Sequence, residues 1–371
     1  MIKVVQFSLT DLAGAPIRVS QAVNLLKDIE VRNVDFYKSY KFDQDIIFSE
    51  RKEEVYEICE KADIIHLYNY INLETNDFHP IDFKELQKKG KKIIQHFQST
   101  PMLVSKKLGI STKEVIDYPL PKIVIAQYPE RFFPNAKVVP NIVPQDNELY
   151  KLNNIKEDID MIFAPSWDRS AWESRWDTKG LPETKIILNK MNKKYKYNSK
   201  ILRGIPLKEV MEFKKRSKLI LDEMVTGSYH LSALEGLCLE KPVLTYLDNR
   251  VDKVIKHISG SSSIPFVNIR FEELEKTSLE LLNDESTRKE IGKSSREWID
   301  YYWQDKKLAQ QFKKVYEDLL ENPYLIKRQP ELSLDDKKEY FFSVVLPDKV
   351  WETRKKNYFS IKISLLIIFR K

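Results

Sequence analysis

Short apolar runs rich in β-branched residues alternate along the chain with longer charged segments of helical period. The first run, IKVVQFS at 2–8, is followed by a helical pattern at 15–29. Strands and helices that alternate in this way are typical of parallel βαβ units in an α/β fold with doubly wound sheets. Strands are predicted at 2–8, 62–69, 91–97, 122–128, 136–144, 159–166, 197–205, 217–224, 241–247 and 263–269.

The alternation pauses at a polar stretch, residues 145–158, and then restarts. A chain of 371 residues is too long for one ordinary compact core and suits two domains. We therefore predict a first domain over 1–150, a second over 151–320 with a hinge near 140–158, and an extension over 321–371. Such domains bind ligands at the carboxyl ends of their strands, so a cleft between the two domains is the expected site.

The last part of the second domain, residues 271–320, carries an almost continuous helical pattern. Breaks are expected near Asn283 and Asp284 and at Gly292, because these residue types weaken a helix interior.

Composition restricts the class of protein. Hydrophobic residues make up 42% and charged residues 32% of the chain, which is typical of a soluble globular protein. Two distant cysteines, Cys59 and Cys238, indicate a reducing compartment without a disulfide framework. Residues 1–16 do not resemble a signal peptide, and no apolar run approaches the roughly 20 residues of a membrane span. These features predict a cytoplasmic protein.

The net charge of +7 is modest for this length, and Lys and Glu are interleaved as on solvated helix faces. We therefore expect no nucleic-acid partner. The exception is the stretch 349–371, with seven basic residues and one acidic residue, Glu352, among aromatic side chains. It suits either peripheral contact with an anionic membrane, at the inner face, or an edge element that covers the core. The two alternatives have equal support.

A first candidate site follows the first predicted strand, in DLAGAPIR at 11–18. Gly14 and Pro16 suit a tight turn into a helix. Backbone N–H groups at such a turn can bind a phosphate or a sugar hydroxyl. A plain strand–helix turn explains the same residues, because only one glycine is present and the dinucleotide fingerprint is missing.

A second candidate site is the loop APSWDRSAWESRWDTKG at 164–180, which follows the first predicted strand of the second domain. It contains Arg169, Arg175 and Lys179. Cations at this end of a strand would neutralise a leaving diphosphate, arginine through a bidentate fork and lysine as a point charge. A solvated loop charge is the alternative for each of them, and the choice between Arg169 and Arg175 stays open.

The third candidate site surrounds GSYHLSALEGLCLEKPV at 227–243. A predicted strand ends at Asp222 and Glu223, and the helix that follows has its N-terminus at this edge, which makes it an anion site by geometry. Glu235 lies in the most apolar part of that helix. Because burial of an unpartnered carboxylate is costly, Glu235 either accepts hydrogen bonds from a ribose diol or has a structural partner.

This third segment resembles the motif E-G-F-G-L-P-x-L-E-A-M-A-x-G-x-P-V of GT-B glycosyltransferases of family 4, in register over its whole length. In one subgroup an Asp-Gln pair precedes G-W-Y-G-x-x-A-L-E-A-M-A, and Asp222 and Glu223 stand at that place here. The motif therefore points to a nucleotide-sugar site in the second domain.

Other landmarks of that family follow in order. AKVVPNIVP at 136–144 is similar to its interdomain linker, IIQHFQSTP at 93–101 to a first-domain strand, and 281–320 to its closing helices. The resemblance covers roughly residues 1–320. It implies the GT-B fold, in which two Rossmann-like doubly wound domains face each other and a C-terminal helix crosses back to the first.

The resemblance also implies roles for the acidic positions. Glu235 matches the glutamate that binds the donor ribose. The glutamate that contacts the donor sugar falls on Gly227, so that contact is absent or is supplied by Glu223 or His230. A glycine of the motif is Glu240 here, which leaves the chemistry of the site intact.

Among basic residues, Lys179 matches a lysine that holds the diphosphate, and Arg175 or Arg169 matches its arginine partner. His96 matches a first-domain histidine that lines the sugar site, so His96, Arg175 and Lys179 are the predicted catalytic residues. The remaining positions implied in nucleotide-sugar binding are Gly14, Gly204, Ser228, Tyr229, His230 and Leu231.

These features predict a glycosyltransferase that moves a sugar from a nucleoside-diphosphate sugar to a polysaccharide or glycoconjugate acceptor, either a saccharide or lipid-linked. Cations and a helix N-terminus can stabilise the leaving diphosphate, so no metal or other cofactor is expected. The family implies retention of configuration and a role at the cell envelope. The alternative is a catalytically inactive GT-B subunit that serves binding or assembly, which Gly227 favours.

Overall fold

The structure is a computed structural model, which describes residues 1–127, 132–153, 155–165, 179–329 and 332. Two parallel β-sheets organise the chain, one on each side of the linker 140–158. No helix among the described residues is long and apolar enough to cross a membrane. The basic segment 349–371 lies outside the described residues.

The first sheet has seven strands: β1 (Ile2–Ser8), β2 (Ile29–Asp35), β3 (Ile46–Ile47), β4 (Ile64–Tyr68), β5 (Lys92–Phe97), β6 (Lys122–Ile125) and β7 (Lys137–Val139). The helices between them are α1 (Ala15–Val23), α2 (Lys52–Lys61), α3 (Phe83–Lys88), α4 (Pro101–Leu108) and α5 (Thr112–Asp117). All strands are parallel, in the order β3-β2-β1-β4-β5-β6-β7. All five residues of β4 are buried, as expected for a strand covered on both faces.

The second sheet has five strands: β8 (Ile159–Phe163), β9 (Ser199–Ile201), β10 (Ser217–Leu221), β11 (Val243–Thr245) and β12 (Val267–Asn268). Its helices are α6 (Leu181–Tyr195), α7 (Leu207–Lys215), α8 (Leu231–Cys238) and α9 (Asn249–Ser259). The order is β12-β11-β10-β8-β9, again all parallel. The prediction of two doubly wound sheets is confirmed.

Each sheet has one switch point, where neighbouring strands continue toward opposite edges. It lies between β1 and β4 in the first sheet and between β8 and β10 in the second. Ligands of open α/β sheets bind outside the carboxyl ends of the strands at such points. The fold therefore offers two places for a site, one in each domain.

Three helices close the chain: α10 (Leu274–Asn283), α11 (Glu285–Tyr302) and α12 (Asp305–Glu321). α12 crosses back and packs against α1 and β5 of the first domain. Gln6 of β1 donates a 3.2 Å hydrogen bond to the Tyr316 hydroxyl of α12. This returning helix confirms the prediction of a crossover.

Two predictions about local structure are wrong. The helical pattern at 15–29 ends at Val23, and Ile29–Asp35 form β2, which was not predicted. The Asn24 side chain, just after the helix, pairs with both backbone groups of Val31 within that strand. The break expected at Gly292 is also absent: α11 continues through it. A β-carbon there would lie 2.0 Å from the Glu240 carbonyl oxygen, so glycine permits close packing instead of ending the helix. The break at Asp284 is confirmed, and its side chain caps α11.

Candidate functional site

The switch point of the second sheet holds a buried ion pair. Asp222 directly follows β10, and its Oδ1 lies 2.6 Å from the Lys179 Nζ. Lys179 also donates to the carbonyl of Ala164, which follows β8, at 3.4 Å. The lysine side chain is 7% exposed and the aspartate side chain fully buried. Lys179 is therefore held at the crevice, as its sequence position predicts.

The second oxygen of Asp222 faces the start of α8. It accepts the backbone N–H of His230 at 2.8 Å, and the His230 Nδ1 lies 3.3 Å away. Burial alone would raise the pKa of Asp222, but the charge of Lys179 and contact with His230 hold it below its usual range. Burial and the nearby Lys179 lower the pKa of His230. An ionised aspartate thus binds both the lysine and a helix N-terminus.

Glu223 shapes the loop that leads into α8. Its Oε1 accepts backbone N–H groups from Val225 at 2.7 Å, from Thr226, and from Gly227 at 3.3 Å. The residue is fully buried. Burial raises the pKa of Glu223 to about 8, so the carboxyl group is mainly protonated at neutral pH. Glu223 therefore holds the loop, and its predicted contact with a donor sugar stays a prediction.

Gly227 has a left-handed backbone conformation, with a φ of 79°. A β-carbon there would lie 3.0 Å from both the Cβ and the Oδ2 of Asp248. Asp248 caps α9 and is paired with Arg250 at 3.3 Å. The Asp248 carboxyl group thus lies where a side chain at position 227 would begin, which explains why no glutamate fits there without a shift.

Glu235 has two buried cationic partners. Its Oε1 lies 2.6 Å from the Arg18 guanidinium, and its Oε2 lies 2.6 Å from the Lys214 ammonium. Burial would raise the pKa of Glu235, but the charges of Lys214 and Arg18 hold it below the usual range. The structural alternative for this carboxylate is thus present. The predicted ribose contact stays a prediction, and each oxygen keeps a second lone pair that can accept a hydroxyl.

The same triad joins the two domains, because Arg18 belongs to α1 and Lys214 to α7. Lys214 also donates to the Ser232 carbonyl and hydroxyl oxygens, both at 2.9 Å, and so lies beside the first turn of α8. The charge of Lys179 contributes to lowering the pKa of Lys214, after the larger effect of burial. The positive charges near the start of α8 therefore act on one another.

Tyr229 is a second contact between the domains. It is fully buried, its carbonyl accepts a hydrogen bond from the Gln127 amide, and its hydroxyl lies 3.4 Å from Asn141 Oδ1. Gln127 follows β6 of the first sheet and also accepts from Arg250 at 3.4 Å. The neighbouring Ser228 hydroxyl is buried and has no hydrogen-bond partner among the described residues. Leu231, which starts α8, is buried as well.

Gly14 and Gly204 contact one loop of the first domain. The Gly14 N–H donates to the Asp11 carbonyl at 2.6 Å, and a β-carbon would lie 2.8 Å from the Phe42 ring. The Gly204 carbonyl accepts from the Tyr40 hydroxyl at 3.3 Å. Gly14 thus forms the tight turn that the sequence predicts, and phosphate binding at that turn stays a prediction. The role of Gly204 in nucleotide-sugar binding stays a prediction as well.

His96 lies in the first sheet, where it packs against α12. It is fully buried in β5, with its ring 6.0 Å from that of Phe312 on α12. Its Nδ1 lies 3.2 Å from the Nε2 of His66, whose Nδ1 lies 2.9 Å from the Tyr316 hydroxyl. Burial and the neighbouring His66 hold the pKa of His96 well below its usual range. These contacts join the first sheet to α12, and the His96 Nε2 has no hydrogen-bond partner among the described residues. The predicted catalytic role of His96 stays a prediction.

Arg169 and Arg175 lie outside the described residues, so the choice between them stays open. Within the described ranges, no group of three or more His, Cys, Asp or Glu side chains is arranged to hold a metal ion.

Sequence reasoning missed Arg18, Lys214 and Asp248. Arg18 lies within the stretch 11–18, but a helical arginine gives no signal of a partner 217 residues away. Lys214 follows the buried Met211 on α7 by three residues, so the two side chains lie on the same face of the helix. This helical spacing was the available signal that Lys214 is buried.

No protein-family model matches the chain, and no curated protein matches it in sequence. Solved structures do match its fold. Sucrose-phosphate synthase of Thermosynechococcus elongatus superposes with a TM-score of 0.54 at 11% identity, over 86% of this chain and 100% of that one. A glycosyltransferase from Rickettsia africae ESF-5 gives 0.51 at 11% identity, over 86% and 99%.

Anabaena HepE, solved in complex with UDP-glucose, gives a TM-score of 0.53 at 10% identity, over 86% of this chain and 100% of that one. Identities this low show a shared architecture and leave activity to the site. The fold expected from the resemblance is confirmed: the chain has the GT-B fold, with a parallel sheet in each domain and a last helix that returns to the first.

Proposed function

We propose that this protein is a glycosyltransferase that transfers a sugar from a nucleoside-diphosphate sugar to a saccharide or lipid-linked acceptor. The observation that carries the proposal is the position of Lys179, buried at the switch point of the second sheet and beside the N-terminus of α8. In this fold, that crevice is where a nucleotide is expected to bind. HepE, which shares the fold, was solved with UDP-glucose.

The charges of the site suit a leaving diphosphate. Lys179, Lys214 and Arg18 carry three positive charges against the two carboxylates of Asp222 and Glu235, because Glu223, with a pKa of about 8, is mainly neutral at pH 7. The N-terminus of α8 adds a partial positive charge. Preorganised groups of this kind stabilise negative charge as it develops on a leaving group.

Asp222 positions Lys179 and does not itself react with the substrate. Its two oxygens hold the Lys179 ammonium and the first N–H of the loop–helix junction at His230, so the lysine keeps its direction without a bound ligand. Both oxygens of Asp222 and of Glu235 are paired. The Glu223 Oε2 has no hydrogen-bond partner among the described residues, but it belongs to a carboxyl group that is mainly protonated and therefore a poor nucleophile. We therefore propose a retaining transfer without a covalent enzyme intermediate and without a metal, with Arg169 or Arg175 as a second cation for the diphosphate.

The acceptor and the location are part of the same proposal. A polysaccharide or glycoconjugate of the cell envelope fits the family resemblance, and 349–371 would hold the protein at the inner face of the membrane. Deletion of 349–371 should then abolish binding to anionic liposomes while the protein remains in solution as a folded chain. Unchanged liposome binding would contradict membrane attachment through 349–371 and would leave the proposed transfer reaction unaffected.

A panel of UDP- and GDP-sugars, followed by NMR of the released nucleotide and of the anomeric product, tests the enzymatic proposal. We expect slow hydrolysis or transfer for at least one donor, retention at the anomeric carbon, and the same rate in EDTA. Product with inverted configuration would contradict retention, and loss of rate in EDTA would contradict metal independence.

A second function is favoured by one observation, that both oxygens of Glu235 are already paired with cations. In a catalytically inactive GT-B subunit that serves binding or assembly, Glu235 would keep these two structural partners because it would not need to bind a donor ribose. Nucleoside diphosphate binding without turnover of any donor in the panel would support it against the enzyme.

A further inference from the structure

The switch point of the first sheet opens into a cavity of about 840 Å³. Leu9 and Thr10, which follow β1, line one side, and Tyr70 and Asn72, which follow β4, line another. The stretch 107–119, from the end of α4 to just beyond α5, contributes several residues of a further wall. Every lining residue belongs to the first domain, so this cavity is separate from the cluster around Lys179. Its volume suits a ligand of one to two sugar rings.

Carboxylates dominate the charged lining of the cavity. Glu74, Asp77, Glu114 and Asp117 line it, together with one ammonium, Lys107. Glu74 is paired with Lys84 at 3.3 Å and Asp117 with Lys113 at 3.2 Å, whereas Glu114 makes no ion pair with the described residues. Asp77 is exposed and makes no ion pair or hydrogen bond with the described residues, so its charge is available to a ligand. Although the chain as a whole carries +7, the four carboxylates at this cavity outnumber the ammonium groups of Lys107, Lys84 and Lys113 by one. Like charges placed together oppose binding, so an anionic ligand is disfavoured here.

Three tyrosine rings contribute to the apolar part of the wall, together with Leu9, Leu108, Ile110 and Pro119. Tyr37 is 67% exposed, and Tyr70 and Tyr118 are half-buried. The Tyr118 hydroxyl donates to Glu74 at 2.5 Å and accepts the Leu73 N–H at 3.1 Å, which fixes that ring against the wall. A flat apolar ring beside carboxylate and amide acceptors matches a sugar, which presents C–H groups on one face and hydroxyl donors at its edge.

We propose that this cavity binds the acceptor as an uncharged or amine-bearing saccharide, and that its carboxylates exclude saccharides that carry a phosphate or a carboxylate. As an acceptor site, the cavity rests on the proposed glycosyltransferase function. Its selectivity rests only on the residues that line it. Asp77 is the main determinant of charge, and Tyr37 supplies the exposed ring on which the sugar lies.

The test measures saccharide binding to the full chain without a donor, by saturation-transfer NMR and titration. The probes are the methyl glycosides of glucose, N-acetylglucosamine, glucosamine and glucuronic acid, together with glucose 6-phosphate. We expect the neutral and amine-bearing probes to bind at least roughly tenfold more tightly than the anionic probes, a difference of one decade in Kd. Tyr37→Ala should weaken all binding.

Asp77→Lys should abolish the discrimination against the anionic probes. The matched control is Glu30→Lys, which makes the same charge change at an exposed position. Glu30 lies at the amino end of β2, whereas the cavity lies at the carboxyl ends of the strands, so this variant should leave each Kd unchanged. Equal or tighter binding of anionic probes to the unmodified protein would overturn the proposal. Absence of any saccharide binding, or an equal effect of the two lysine variants, would overturn it as well.

Binding of UDP and GDP is measured on the same sample, so the two proposals fail separately. Diphosphate binding together with a preference for anionic saccharides would remove this inference and leave the glycosyltransferase. Selective saccharide binding without diphosphate binding would remove the glycosyltransferase and keep the selectivity of the cavity.

Discussion

The two switch points of the molecule share a topology and differ in chemistry. At the first, between β1 and β4, exposed carboxylates and tyrosine rings surround an open cavity. At the second, between β8 and β10, Lys179 and Asp222 form a buried pair beside α8, with the Glu235 triad nearby. Desolvation makes an unpaired buried charge costly, whereas an exposed charge remains hydrated. The second site must therefore be internally paired before any ligand arrives, and the first need not be.

The sharpest way to break this comparison is to remove one charge at each switch point. Glu235→Ala leaves Arg18 and Lys214 buried without their counter-ion, and should lower the free energy of unfolding by about 3 to 5 kcal/mol. Asp77→Ala at the first switch point should change it by less than about 0.5 kcal/mol. Chemical denaturation of both variants measures the difference.

Glu235→Gln is the companion variant, because it keeps the shape and removes the charge. If Glu235→Ala lowered the free energy of unfolding as little as Asp77→Ala does, the triad would not be a buried structural contact.

The next largest effect concerns turnover. Lys179→Ala should lower kcat by roughly 100-fold or more if the lysine stabilises the leaving diphosphate. It also leaves Asp222 buried without its partner, so the double variant Lys179→Ala with Asp222→Asn removes that source of instability. Steady-state kinetics with the best donor measure both.

Lys185→Ala, at an exposed position on α6, is the control and should keep normal turnover. Wild-type kcat in Lys179→Ala would move the phosphate contact to Arg169 or Arg175.

Much of the fold could be predicted from the sequence, because buried parallel strands are continuous apolar runs. β1 matches its predicted range of 2–8. The predictions failed where contacts between distant parts of the chain matter. Asn24 pairs with the backbone of β2 just after α1 ends, and Gly292 allows α11 to pack closely against the Glu240 carbonyl.

The candidate site was predicted in part. Lys179 and Asp222 lie at a strand end and a loop that the pattern located, so both appear together in the structure. The carboxylate of Glu235 signalled a buried polar contact, but its partner Arg18 is 217 residues away and has no local signature. The role of His96 was implied by the family resemblance, and the pattern of its strand does not tell that α12 packs against this ring.

A pH series tests the carboxyl group that is neutral in the second site. The pKa of Glu223 is raised to about 8 in the folded chain, so its contribution to stability is fully present below the unfolded pKa near 4.5 and is lost as the pH rises through about 8. Relative to Glu223→Gln, the wild type should lose roughly 1 kcal/mol of unfolding free energy per pH unit in that window.

Denaturation midpoints at pH 5, 6, 7 and 8 measure this slope. Parallel pH curves for the wild type and Glu223→Gln would mean that the carboxyl group is ionised in the folded chain.

The smallest effect lies at the far end of α8, outside both switch points. Glu240 is exposed and has a φ of 54°, a conformation that favours glycine. Glu240→Gly should raise the free energy of unfolding by roughly 0.5 to 1 kcal/mol, because relief of backbone strain exceeds the added entropy of the unfolded chain. Glu240→Ala keeps the β-carbon and should gain nothing. Equal free energies of unfolding for Glu240→Gly and Glu240→Ala would contradict backbone strain at this position.

Calorimetric titration of UDP and GDP into the full chain tests the central claim, that the second switch point binds a nucleoside diphosphate. We expect at least one of them to bind, with affinity lost in Lys179→Ala and retained in both Lys185→Ala and Asp77→Lys. Absence of binding at millimolar ligand, or binding that Lys179→Ala leaves unchanged, would contradict the account.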